Sequence, residues 1–305
     1  MKKICRIVLY LLLPLSASGQ LTPVSDHYIL NPLTINPACA GSRGALSVAA
    51  FYRRQWVGMP GAPETMTFSA DAPLFDAKLG LGLIIVSDKI GVTKSTSYNT
   101  NYSYKINIGY GAISFGLGAG VIATNTNWSR LVLIDPGDEF ALTSSRVYIV
   151  PDFSFGLYYN NRKYFAGFSI PQLTGYYFDL NENRYLLKIN MGQYLYLFNT
   201  GYEFDIASKT KFFPSTLITY SPIGKLQYDI NTHFSFFNRF WIGASYHSTG
   251  AVTGLFQLSV NNQLKVAYSY YFDFSDLRKY NSGSHEIMLR YEFRYKVDAI
   301  SPLNF

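Results

Sequence analysis

The sequence predicts an all-β protein, a transmembrane antiparallel up-and-down β-barrel of about 14 strands. Three observations carry that expectation. Aromatic residues make up 17% of the 305-residue chain and charged residues only 15%, whereas soluble domains carry about 25% charged residues. From residue 44 onward, apolar and polar residues alternate with period two, the mark of strands with two unlike faces. After the first fifteen residues no apolar run approaches the roughly 20 needed for a helix to cross a bilayer, and mean hydropathy is only +0.04. Disorder is excluded as well, because disordered chains lack aromatics.

The first element is a targeting segment, residues 1–19. Lys2, Lys3 and Arg6 form a basic start, Ile7 to Leu15 an apolar core, and Ala17-Ser18-Gly19 a small-residue cleavage site. Cys5 precedes the apolar core, so it cannot be the acylated cysteine of a lipoprotein. Cleavage leaves 23 basic against 19 acidic residues, a surplus of +4. So weak and scattered a surplus argues against a nucleic-acid partner. Cys39 is then the one cysteine left, which excludes a disulfide framework and a multi-cysteine metal site.

Residues 20–43 follow, with Pro23, Pro32 and Pro37 and no periodicity. Proline fixes φ and biases its predecessor towards extended backbone. Tyr28, Ile29, Leu30, Leu33 and Ile35 want burial, so this lead is expected either as a periplasmic arm or folded into the barrel lumen.

Strands are expected near 45–56, 64–72, 79–87, 95–107, 111–124, 147–160, 163–170, 193–206, 211–220, 225–236, 239–248, 251–260, 263–273 and 284–296, the barrel spanning 44–297 with a short tail at 298–305. The alternation is clearest where Tyr98, Thr100, Tyr102 and Tyr104 oppose Asn99, Asn101 and Ser103. It recurs where Tyr228, Ile230 and Phe234 oppose Asp229, Asn231 and His233, and where Ile287, Leu289 and Tyr291 oppose Glu286, Met288 and Arg290. A soluble sandwich would bury aliphatic residues. Outward aromatics near strand ends fit the girdles of a membrane barrel instead. The length fits too, since membrane strands need roughly nine to eleven residues and globular ones usually about five or six.

Connections separate as a barrel requires, short on the periplasmic side and long outside. Segments 161–162, 207–210, 237–238 and 261–262 are short; 125–146, 171–192 and 274–283 are long and fall on the outer side. Pro214 cannot donate to a ladder, so its strand is expected to start late or bulge.

Little in the chain marks chemistry. Gly116, Gly118 and Gly120 lie inside a strand with no helix after them, unlike a dinucleotide loop; they thin one face, for lumen space or a bend. Asp229 and His233 share a strand face but lie roughly 13 Å apart, too far for one metal. His285 and Glu286 are adjacent and point to opposite faces. No catalytic cluster, metal set or cofactor motif emerges, so no enzyme and no cofactor are expected. Adjacent Arg53 and Arg54 cannot both face the lumen, and one facing lipid at mid-depth would cost about 2–4 kcal/mol. That places them near a rim, with Trp56 as an interfacial anchor.

At residues 28–41 the chain begins to resemble a known family. Tyr28-Ile29-Leu30-Asn31-Pro32 and Ile35-Asn36-Pro37-Ala38-Cys39-Ala40-Gly41 are similar to the N-terminal signature of the PorP/SprF family, outer-membrane proteins associated with type IX secretion in Bacteroidetes. The likeness continues through Tyr52-Arg53-Arg54-Gln55-Trp56-Val57-Gly58, Gly61-Ala62-Pro63 and Asp88-Lys89-Ile90-Gly91. It returns in Arg239 to Tyr246, around Trp241, and in Ser282 to Ile287, with His285 and Glu286. Cys39 departs from the pattern, standing where the family has an aromatic, and 171–192 aligns poorly, as a partner-dependent outer loop would.

The resemblance implies a barrel in outer-membrane lipid that helps type IX cargo, such as large adhesins including those used in gliding, to reach or stay on the surface. It implies secretion components as partners on the periplasmic side and cargo on the outer side. The matched residues Asn31, Pro32, Asn36, Pro37, Gly41, Arg53, Gln55, Trp56, Gly58, Asp88, Lys89, Trp241, His285 and Glu286 are then candidates for structural or partner-binding roles. A diffusion channel or small-solute transporter is the competing expectation.

Overall fold

The computed structural model describes residues 25–75, 77–127, 147–179, 184–222, 224 and 226–293, with no account of the side chains of 176–188. The expected targeting segment, the 298–305 tail and most of the 125–146 connection lie outside the described residues.

The wall is a closed antiparallel barrel of 14 strands. In chain order the strands are β1 (Leu46–Arg54), β2 (Glu64–Leu74), β3 (Leu79–Ile90), β4 (Thr93–Ile108), β5 (Gly111–Thr126), β6 (Val147–Asn160) and β7 (Tyr164–Ile170). After a separate hairpin of β8 (Gly175–Asp179) and β9 (Arg184–Lys188), the wall resumes with β10 (Tyr196–Tyr202), β11 (Phe204–Ala207), β12 (Thr210–Tyr220), β13 (Gln227–Phe236), β14 (Phe240–His247), β15 (Ala251–Ser259), β16 (Leu264–Asp273) and β17 (Ser284–Phe293). β10 and β11 are two halves of one wall strand, since both pair with β12. Each wall strand pairs with its sequence neighbour, and β1 pairs with β17 to close the ring. Closure leaves no sheet edge facing lipid, which is what a bilayer demands of strands.

The two faces sort as the alternation predicts. On β4, Tyr98, Tyr102 and Tyr104 are exposed while Asn101 and Ser103 are buried. On β13 and β17, Ile230, Ile287 and Leu289 point out, while Asn231, His233, Glu286 and Arg290 are buried within. The buried interior is thus largely polar, the reverse of a soluble core.

Pro214 departs from expectation. β12 runs through it without a late start, and Pro214 stays in register with Thr232. The break falls in the neighbouring strand, between β10 and β11, opposite the proline. There Glu203 turns its N–H to the carbonyl of Lys163 at 2.7 Å. A missing donor in one strand is thus matched by an interruption in the other.

Candidate functional site

Residues 25–41 lie inside the barrel as a folded insert. Two short 3-10 turns, Pro32–Thr34 and Pro37–Cys39, begin at prolines, whose fixed φ and absent N–H suit a first helical position. Asn36 caps the second, its Oδ1 accepting from the Ala38 N–H at 2.9 Å. Its Nδ2 donates to the wall carbonyls of Leu157 at 2.9 Å and Phe168 at 3.3 Å. One side chain therefore folds the insert and ties it to β6 and β7.

Apolar residues of the insert meet three small clusters on the wall. Leu30 packs with Ala49, Phe51, Leu255, Ala267 and Met288. Tyr28 and Ile35 meet Leu197 and Leu217, while Leu33 and Ala40 meet Ile84. The apolar lead residues thus find burial in a lumen that otherwise offers polar groups.

The Leu30 carbonyl accepts from Arg43 Nη2 at 2.6 Å and also from Arg290 Nη2. Asn31 donates to Ser69 at 2.8 Å, Ser169 donates to the Ile35 carbonyl at 2.6 Å, and Ser103 donates to the Ala40 carbonyl at 2.8 Å. At the lower end, Gly41 donates to Asp71 at 3.0 Å, and Arg43 stands 3.3 Å from the same carboxylate. Gly41 has φ +67°, and a Cβ there would lie 2.9 Å from the Ala72 carbonyl oxygen. Only glycine combines that backbone with that closeness.

The wall glycines make room for the insert. A Cβ on Gly116 would lie 2.1 Å from the Ala38 nitrogen, and one on Gly80 would lie 2.0 Å from the Ala40 oxygen. Gly118 and Gly120 leave space for Ser154, Asn101 and Asn99. These glycines serve lumen packing, as the sequence suggested.

The outer end of the insert carries the charged cluster. Ser25 donates to Glu286 at 2.5 Å and the Asp26 N–H donates to the same carboxylate at 3.0 Å. His27 Nδ1 is 3.7 Å from Glu286, Arg53 is 3.5 Å from Asp26, and His247 is 3.9 Å from Asp26. Burial lowers the His27 imidazole to about 4, so it sits there neutral. Burial likewise raises the Tyr28 hydroxyl and the Cys39 thiol, leaving neither ionised. Cys39 is fully buried and packs as a small apolar group.

Of the matched residues, Asn31, Asn36, Gly41, Arg53 and Glu286 meet at this insert. Pro32 and Pro37 start its turns. Gln55, Trp56 and Gly58 belong to the β1–β2 connection, where the Trp56 N–H donates to Ser284 at 3.2 Å and Gly58 takes φ +101°. Asp88 accepts from Thr65 at 2.6 Å, and Lys89 stands opposite Glu64 near the same rim. Trp241 is far from that rim, lining a cavity of about 300 Å³ with Lys211, Lys265 and Arg290 at the opposite end. His285 faces outward against Tyr268, 2.7 Å from its hydroxyl. The adjacent Arg54 and Arg53 split across the wall: Arg54 is exposed beside Glu64 and Arg53 is buried.

Two features escaped the sequence. Asp229 pairs with His247 on the next strand at 2.8 Å, and His247 in turn contacts Thr253 at 2.9 Å. Thr253 is buried and Asp229 partly exposed, so this acid–imidazole–hydroxyl chain runs from a small cavity at the insert's outer end into the wall. Cross-strand register, invisible in a linear pattern, makes the pair. The second feature is a cavity of about 510 Å³ over the insert, at the end bearing the long connections. Among the described residues no group of three or more metal-ligating side chains occurs.

Residues 17–291 match the model of a family described as type IX secretion system membrane protein PorP/SprF. No curated protein matches the sequence. Among solved structures, a monoaromatic hydrocarbon channel, CymD, shares the fold with a TM-score of 0.52 at 10% identity, covering 91% of this chain and 95% of its own. The Acinetobacter baumannii outer membrane protein Omp33 aligns over 82% of this chain and 98% of its own, at 10% identity and TM-score 0.46. The KdgM porin aligns over 81% and 99%, at 9% identity and TM-score 0.41.

Proposed function

The chain belongs to the PorP/SprF family of type IX secretion membrane proteins, and on that premise we propose that it is a non-enzymatic outer-membrane accessory that helps cargo proteins reach and hold the cell surface. Large adhesins, including gliding adhesins, are the cargo this reading favours. Secretion components would meet its periplasmic end, and cargo would meet the outer connections 125–146, 171–192 and 274–283. One observation supports a recognition role over a conducting one: residues 25–41 fill the lumen and are hydrogen-bonded to strands all around it.

A diffusion channel or small-solute transporter is the alternative. It would require those residues to leave the lumen, breaking their contacts with the wall. The two readings separate by experiment. Deleting the gene should remove one or a few adhesins from the surface proteome measured by mass spectrometry, and an unchanged surface proteome would sink the secretion reading.

A further inference from the structure

The cavity over the insert has the size and walls of a binding site. Its volume of about 510 Å³ falls within the roughly 300–1,000 Å³ of ligand pockets. Its floor is aliphatic, formed by Leu33 and Ile35 of the insert with Ile84 and Val86 of β3. Its sides are rich in primary amides, among them Asn99, Asn101, Gln172 and Asn190. Each amide offers a donor and an acceptor side by side, the same pairing that a peptide group presents.

Two details narrow the ligand. Asn101 is 3% exposed, and its Nδ2 has no hydrogen-bond partner among the described residues. A buried donor left unpaired is unfavourable, so it suits an acceptor arriving from the cavity. Asp152 is the single charged side chain among the described residues lining the space. Thr174 donates to its Oδ1 at 3.2 Å and to the Pro151 carbonyl at 2.9 Å, and the Asn99 amide and the Phe153 N–H bond the same carboxylate; its two oxygens still leave room for one further donor. Its donors are all neutral and the described lining holds no cation, so the carboxylate repels anions and favours an ammonium or guanidinium. Tyr194, the one aromatic among the described residues lining the cavity, is 7% exposed. It offers no open ring face on which a sugar would stack.

From these features we infer that the outer cavity binds a short extended peptide segment, with an aliphatic side chain on the floor, backbone groups on the amides, and a basic side chain at Asp152. The inference rests on the secretion reading only for the source of the segment, a cargo chain arriving from outside. The ligand chemistry stands on the cavity alone.

Fluorescence anisotropy on the full-length protein in detergent tests it, with fluorescein-labelled acetyl-GVKLG-amide, its glutamate counterpart acetyl-GVELG-amide, and unlabelled maltopentaose as competitor. The lysine peptide should bind at least about tenfold more tightly than the glutamate peptide, the contribution expected of one charge-assisted hydrogen bond. Asp152→Asn should abolish that preference, and Asn101→Leu should weaken both peptides alike. Asn99→Ala, a smaller change on the same wall, should weaken both should Asp152→Asn fail to fold. Absence of peptide binding, equal affinity for the two peptides, or displacement by maltopentaose would each overturn the inference. A deletion strain that loses adhesins while the protein binds no peptide overturns the cavity and spares the secretion reading. Peptide binding with an unchanged surface proteome does the reverse.

Discussion

Arg53 and Glu286 stand directly opposite each other across the seam where the first and last strands close the barrel. Both are buried, and both reach the same two residues of the insert, Arg53 to Asp26 and Glu286 to Ser25 and Asp26. Closing the wall therefore builds the clamp that holds the insert's outer end. Residues from the two ends of the chain become one site only when the ring is complete.

Glu286→Ala should loosen that end. Intramolecular hydrogen bonds contribute about 0.5–1.5 kcal/mol each, and this change removes those from Ser25 and Asp26. Limited proteolysis of detergent-solubilised protein should then cut within residues 25–31 faster than in the native chain, with the barrel intact. Unchanged cleavage would show that the clamp does not hold the insert.

Gly116→Ala should expel the insert's middle. The new Cβ would lie 2.1 Å from the backbone nitrogen of Ala38 and 2.4 Å from its Cα, and backbone cannot yield as a flexible side chain does. Planar-bilayer recordings should show steady conductance in this variant and closed behaviour in the native protein. Open native barrels would favour the channel reading instead.

Asn36 and Gly156 should be strongly coupled. A Cβ on Gly156 would lie 2.0 Å from Asn36 Oδ1, so Gly156→Ala alone should be disruptive. Asn36→Ala alone loses the turn cap and two wall contacts, at about 1–3 kcal/mol. Together the methyl groups should coexist, and the double variant should be less destabilised than the sum of the two by about 1 kcal/mol or more. Urea unfolding followed by circular dichroism measures it; additivity would contradict the packing described.

The contribution of His27 to docking of the insert should weaken in acid. His27 is held near 4 by burial against an ordinary value of 6.5, with Asp26, Glu286, Arg53 and Arg290 around it. The undocked imidazole takes a proton that the docked one refuses. The His27 contribution is therefore complete above pH 6.5 and is lost as pH falls towards 4, by up to about 3 kcal/mol. Below pH 6.5, residues 25–41 of His27→Gln should therefore be cut more slowly relative to the native chain, the gap widening towards pH 4. Parallel pH profiles in the two proteins would show that His27 does not set the pH dependence.

Much of this architecture is legible in the linear chain. The alternation of Tyr98, Tyr102 and Tyr104 with Asn99, Asn101 and Ser103 states which face meets lipid, because side chains of a strand alternate strictly. Connection lengths tell the two ends of the barrel apart for a similar reason of geometry. The candidate site was harder to read. Asn31, Asn36, Gly41, Arg53 and Glu286 were marked by family likeness, yet nothing in their spacing said that they touch. Trp241 and His285 carried the same mark and lie elsewhere.

The limits follow from the physics of each signal. Period two is a local property, and composition reports the solvent, so the sequence alone determined a lipid-facing barrel, its strand count and the sidedness of each strand. Register and closure are non-local. They paired Arg53 with Glu286 and Asp229 with His247, and they moved the interruption expected at Pro214 into the strand beside it. The 25–41 segment has no period at all, so its burial had to wait for a lumen of the right shape. Only the closed ring supplies that lumen, with glycines thinned where the insert passes and carboxylate, guanidinium and amide groups placed to receive its backbone.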